Sequence, residues 1–212
     1  MPRLKKPRVV EPIVPEPTRP DWIVLALALA GLAVAGYLTA LKLGGTQAFL
    51  CRDGSGCDMV QASRYSLLAG VPTAMWGAAV YLAIAVLSAM PRTPRRWQGA
   101  FMLACGAVAF SIYLTYLSIF VIGATCPYCL ASGGIAVALV VVMLLRRPAA
   151  QGRHAAAYKP GRLAGLGITA GIVTVLAGAF IFAADFSTPA GYQSGLARHL
   201  AQSKAIFYGA FW

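Results

Sequence analysis

Five stretches of this chain stay apolar over the length a helix needs to cross a bilayer, roughly 20 residues. They run from about Trp22 to Leu43, Pro72 to Met90, Gln98 to Ile122, Cys126 to Leu145 and Leu163 to Ala184, and none carries a charge near its centre. In hydrocarbon the backbone must satisfy its own hydrogen bonds, which restricts such segments to helices or closed barrels, and runs this long and continuous are helices. The fold class expected is therefore all-α, a polytopic bundle of transmembrane helices. A composition of 59% hydrophobic and 11% charged residues excludes an ordinary soluble domain. The first run is too long for a cleavable signal peptide, and a charged, proline-rich stretch precedes it.

Lysine and arginine set the expected orientation. Arg3, Lys5, Lys6, Arg8 and Arg19 precede the first run. Arg92, Arg95 and Arg96 follow the second, and Arg146, Arg147, Arg153, Lys159 and Arg162 follow the fourth. The alternate connections hold few: Arg52 and Arg64 in the first, none between Ile122 and Cys126, and Arg198 and Lys204 in the last segment. This alternation puts the N-terminus in the cytoplasm and the C-terminus outside, in a multi-pass protein of the cell (inner or plasma) membrane. Much of the net charge of +12 is then a topology signal, with a share for anionic lipid rather than for nucleic acid.

Four of the five cysteines form two close pairs, Cys51/Cys57 in Cys-Arg-Asp-Gly-Ser-Gly-Cys and Cys126/Cys129 in Cys-Pro-Tyr-Cys. Both fall on the outer, periplasmic side in this topology, where thiols meet an oxidising compartment. Cys126 opens a helix whose free N–H groups and positive end stabilise a thiolate, and proline suits the next position. Cys129, one turn on, points the same way but deeper, within reach of a lipid-soluble acceptor. The glycine-rich spacer of the other pair can flex, as thiol-disulfide exchange through a mixed disulfide requires. Cys105, among small apolar residues, reads as a packing residue. The same cysteines are open to other readings: structural disulfides in a non-enzymatic membrane scaffold, a four-cysteine zinc site, or a transporter. Against these stand the small loop a Cys-x-x-Cys bridge closes, the wide first pair, and spans without buried charges. No metal is expected.

The ordered set Cys51, Cys57-Asp-Met-Val-Gln-Ala-Ser63, Gly70-Val-Pro-Thr73-Ala-Met-Trp-Gly77 and Cys126-Pro-Tyr-Cys129 resembles the vitamin K epoxide reductase family, over about Trp22 to Leu145. The resemblance is to bacterial-type members, which carry a C-terminal thioredoxin-like domain. It implies a four-helix catalytic bundle (about 22–43, 72–90, 98–122 and 126–145) with an outer cysteine loop at 44–71, including a short helix around Asp58 to Leu68.

The resemblance also implies roles. Cys129 would lie beside a quinone, Cys126 would be its disulfide partner, Cys57 would attack Cys126, and Cys51 would meet the thiols of a thioredoxin-like partner. Ser63 matches the family's hydroxyl residue after the loop, which is also a natural turn or capping hydroxyl. Thr73 stands where vertebrate members have a polar quinone contact, and Met75, Trp76, Tyr113 and Tyr116 are candidate lining. Gly133 replaces a tyrosine of the vertebrate enzymes, which favours reduction of a quinone (menaquinone or ubiquinone) over that of an epoxide. The activity implied is disulfide formation in exported proteins, with electrons passing from the thioredoxin-like partner to the quinone. A DsbB-like quinone reductase of another family would carry its Cys-x-x-Cys in the first outer loop, the reverse of the order here.

The remainder is read as accessory. Residues 1–21 form a basic, proline-rich cytoplasmic tail expected to be disordered. Residues 146–162 form a cytoplasmic linker, and 163–184 a fifth, flanking transmembrane helix that returns the chain to the outer face. Residues 185–212 are expected to be an outer linker and the start of a thioredoxin-like domain cut short after Phe-Trp212.

Overall fold

The computed structural model describes residues 20–44, 56–91, 93–147 and 159–187. Cys51 with most of its spacer, the tail 1–19, the connection 148–158 and the segment 188–212 lie outside the described residues, and so do the expectations attached to them.

The fold is all-α, with six α-helices among the described residues. They are α1 (Trp22–Gly44), α2 (Gly56–Ala62), α3 (Thr73–Ala89), α4 (Pro94–Tyr116), α5 (Pro127–Leu145) and α6 (Pro160–Ser187). Four are long and apolar enough to cross a membrane: α1, α4 with its extension to Ile122, α5, and α6. The fifth, α3, is apolar but shorter at 17 residues. Large apolar side chains such as Ile112, Phe120, Leu176 and Phe180 stand exposed along these helices, the pattern of a surface that faces lipid rather than water.

Helices α1, α3, α4 and α5 make a four-helix bundle, and α6 packs along α4. The shared core runs from Val24 and Ala28 of α1 through Tyr81 and Ile84 of α3 and Ala100 and Phe101 of α4 to Leu139 and Met143 of α5. Lipid is as apolar as leucine, so close packing holds such helices together more than burial does. Gly31 illustrates this: a side chain there would collide with the Tyr81 ring. The bare backbone lets that ring cross α1 so that its hydroxyl donates to the Ser132 carbonyl of α5 at 2.6 Å. At the end opposite the cysteines, Asp21 before α1 meets Arg146 after α5 at 3.5 Å.

Local chemistry moves several boundaries from those the hydropathy suggests. Helix α4 starts at Pro94 because Thr93 caps it, its hydroxyl accepting from the Arg96 N–H, so Arg95 and Arg96 sit in the first turn. Helix α6 starts at Pro160, three residues before the apolar run. The last turn of α4 widens into a π-helix, Leu117–Ile122, that stops at Gly123 in the left-handed region, φ 75°. The connection after α2 holds a 3₁₀ turn, Arg64–Ser66, and a two-residue hairpin with Leu68 opposite Val71. Ala69 and Gly70, both at positive φ, supply the mirror-image turn such a hairpin needs. Periodicity cannot register strands of two residues.

Candidate functional site

Two short elements bring the cysteines together. Cys126 is the N-cap of α5, extended at φ −109° and ψ 112°, with Pro127 in the first turn. Its sulfur accepts the Cys129 backbone N–H at 3.3 Å and is 2% exposed. Above it, α2 places Cys57 so that the two Sγ atoms are 3.8 Å apart, enclosed by Leu41, Val60 and Tyr128. Cys57 is itself in a disulfide, while Cys126 and Cys129 are free thiols.

This approach depends on Gly56. A Cβ at that position would lie 2.6 Å from the Thr125 carbonyl oxygen, so only glycine lets α2 settle on the strand of chain leading into Cys126. Lys42, at the end of α1, donates to the Gln61 carbonyl and ties down the far end of α2. The sequence marks both residues, as a glycine beside a cysteine and as a lone charge closing an apolar run, but their roles depend on tertiary contact.

Electrostatics at the head of α5 favour a reactive sulfur. Cys126, which the structure places one residue before the membrane-spanning helix Pro127–Leu145, is lowered from 9.0 to about 7, chiefly by hydrogen bonding from the Cys129 thiol. Burial opposes the shift, and the backbone N–H groups of Cys129 and Tyr128 assist it.

Below the two cysteines lies a cavity of about 780 Å³, within the roughly 300–1,000 Å³ usual for small-molecule sites. Its wall includes Cys126 and Cys129 at one end and apolar side chains such as Val80, Phe110, Leu114 and Ile122 along its length. Most hydroxyls along it are occupied. Thr73 donates to the Tyr65 carbonyl at 3.0 Å, Thr115 to Ser111 at 2.7 Å, Thr174 to Ala170 at 2.7 Å, and Ser118 to Ala124. Ser66 differs. It lines the cavity, and its buried Oγ has no hydrogen-bond partner.

The other candidate residues divide. Thr73 and Trp76 line the cavity and also hold its cap, the Trp76 indole N–H donating to the Leu68 carbonyl at 3.3 Å. Ser63 is not in the wall; its hydroxyl donates to the Val60 carbonyl at 2.7 Å and closes α2. Met75, Tyr113 and Tyr116 are also absent from the wall. Thr73, Trp76, Gly77 and Val80 share one face of α3, and Met75 lies on another, half-exposed. Tyr113 turns toward Phe182 of α6, with ring centroids 6.4 Å apart, and Tyr116 packs on Phe120 at 5.0 Å. Cys105 faces α6, where a Cβ on Gly167 would lie 3.1 Å from its sulfur.

Comparison with known proteins agrees with this arrangement. The model of the vitamin K epoxide reductase family matches residues 22–145, from the start of α1 to the end of α5. Thiol-disulfide oxidoreductase LTO1 of Arabidopsis thaliana is 27% identical over 205 residues, an alignment covering 83% of this chain and 52% of the relative. The chain thus spans about half the length of this curated relative. With the family model covering more than half of its residues, including both described members of the cysteine contact and the helices that enclose the cavity, this chain belongs to the vitamin K epoxide reductase family.

Proposed function

We propose that this protein is a membrane thiol-disulfide oxidoreductase that passes electrons from thiols on the outer side of the membrane to a quinone in the bilayer. The observation that carries the reading is the 3.8 Å approach of Cys57 and Cys126 sulfurs directly over a cavity that reaches Cys129. The orientation rests on the distribution of Lys and Arg. The natural donor would be a thioredoxin-like protein or domain, and the oxidised donor would serve disulfide formation in exported proteins.

In the forward direction a donor dithiol reduces the loop disulfide, Cys51 being the sulfur attacked. The Cys57 thiolate then attacks Sγ of Cys126, the Cys126–Cys129 bond breaks, and Cys129 leaves as thiolate. Cys51 attacks Cys57 in the resulting mixed disulfide, which restores the loop bond and releases Cys126. The two pairs have then exchanged two electrons, leaving a loop disulfide over a Cys126/Cys129 dithiol. That is the bonding state in which Cys57, Cys126 and Cys129 are found.

The residues around the cavity fit a quinone. A largely apolar wall suits the ring, and Ser66 offers an unused hydroxyl to one carbonyl, while Thr73 has already committed its proton. When bound, the quinone supplies a two-electron, two-proton sink that returns Cys126 and Cys129 to the disulfide. Ser66 orients the acceptor, the hairpin capped by Thr73 and Trp76 keeps water from the sulfurs, and Cys129 presents its thiol to the cavity.

The test is anaerobic quinone reduction by the purified protein, supplied with dithiothreitol or a reduced thioredoxin-like domain. Cys129→Ala is expected to abolish turnover with either donor, and Cys51→Ala to abolish it mainly with the protein donor. Wild-type protein that leaves quinone oxidised with both donors would overturn the enzyme reading in favour of a scaffold with structural disulfides.

A further inference from the structure

Helix α6 lies beyond the segment that matches the family, and a fifth crossing needs no role beyond carrying the chain to the other face. Its packing is closer than a tether requires. A Cβ at Gly178 would lie 2.5 Å from the Phe110 ring, and one at Gly106 of α4 would lie 2.8 Å from the Thr174 hydroxyl. Small residues at these crossings let two backbones approach, the usual means of fixing one membrane helix on another. Near the cap, Phe182 meets the Tyr65 ring edge-on at 5.5 Å, in the turn that carries Ser66.

The face of α6 so fixed is part of the cavity. Ala170, Val173, Thr174, Ala177, Gly178 and Ile181 all line it, opposite Thr73, Trp76 and Val80 of α3. Helix α4 packs against both α3 and α6, but those two do not pack closely on each other. Residues on either side of the gap are open, Trp76 being 48% and Val173 66% exposed. The cavity that ends at Cys129 is therefore continuous with a slot between α3 and α6 at the level of the bilayer.

We infer that α6 forms one wall of the acceptor site, and that the slot between α3 and α6 is the lateral portal through which a prenylated quinone enters, its tail lying against Ala177 and Val173. This rests on the quinone reading above and adds a specificity element to it. The head group is handled by Ser66 and the cysteines, whereas the tail is sorted by a helix outside the catalytic bundle. A tailless quinone of the same ring chemistry has no need of that wall.

The test uses the full chain in lipid nanodiscs with dithiothreitol as donor, and compares menadione with a menaquinone bearing a long prenyl tail. Ala177→Trp is expected to raise KM for the tailed quinone about fivefold relative to KM for menadione, the lower end of what overpacking costs. Leu176→Trp, on an exposed face of α6 away from this cavity, serves as the control and is expected to match wild type with both quinones. A tail-diazirine menaquinone photolysed in the wild-type protein is expected to label α6 between residues 170 and 181. An Ala177→Trp protein that handles the tailed quinone like wild type, or loses both quinones equally, overturns the portal, as does label confined to α1 and α5. Wild-type protein that reduces neither quinone instead removes the quinone reading itself.

Discussion

The sulfur of Cys57 lies 3.8 Å from that of Cys126, although 69 residues separate them in the chain. A disulfide needs about 2.05 Å, so the two are one short movement from a bond. Both are buried, at 3% and 2% exposure, so exchange between them takes place away from water and from competing soluble thiols.

This geometry predicts a trappable intermediate. In a Cys51→Ala, Cys129→Ala double variant neither resolving thiol remains, and the Cys57–Cys126 mixed disulfide should accumulate on mild oxidation. Non-reducing peptide mapping would find the α2 and α5 peptides joined in most molecules. Joining of either one to Cys105 instead would contradict the relay, since Cys105 faces α6.

Gly56 should control the rate of that exchange. Its missing side chain admits the Thr125 carbonyl, and an added methyl group must push α2 or the α5 entrance aside. Overpacking of this kind costs about 1–3 kcal/mol, or roughly five- to 150-fold in rate if it falls on the approach step. Gly56→Ala should therefore slow quinone reduction by at least about fivefold with a protein donor, with helix content by circular dichroism unchanged. An unaltered rate would mean that the 3.8 Å contact is not on the path.

The bundle and the cap of α5 were legible in the sequence because they are local signals. A bilayer-length apolar run specifies a helix by itself, and Cys126-Pro127 at the head of one is a capping pattern. Lining residues could not be read the same way. Thr73 and Trp76 lie on the face of α3 that meets the cavity, but Met75, between them in sequence, does not, and hydropathy assigns no rotation to a helix apolar all round. Ser66 and the inner face of α6 escaped notice for a related reason. An unpaired hydroxyl and a cavity wall exist only once the cap, α3, α4 and α6 have come together.

Ser66 is expected to act on acceptor binding alone. A neutral hydrogen bond is worth about 0.5–1.5 kcal/mol net, so Ser66→Ala should raise KM for quinone roughly two- to twelvefold with kcat unchanged, and Ser66→Thr should recover most of the loss. A fall in kcat at constant KM would move Ser66 from orienting the quinone to supporting the loop.

The acidity of Cys126 supplies the last prediction. Its thiol is lowered from 9.0 to about 7, chiefly because the Cys129 thiol donates to it. The folded state thus holds the thiolate more strongly than the unfolded chain does. The stability gained is fully present above the ordinary thiol value and is lost as pH falls through about 7. In a Cys51→Ser, Cys57→Ser, Cys105→Ser protein, thiolate absorbance should rise with a first midpoint near 7. Adding Cys129→Ala removes the largest cause and leaves burial opposed only by backbone N–H groups, so the midpoint should move up toward the ordinary value. Were the midpoint unmoved by Cys129→Ala, the backbone at the head of α5 would be the dominant cause, and Cys129 could be replaced without altering the pH dependence of exchange at Cys126.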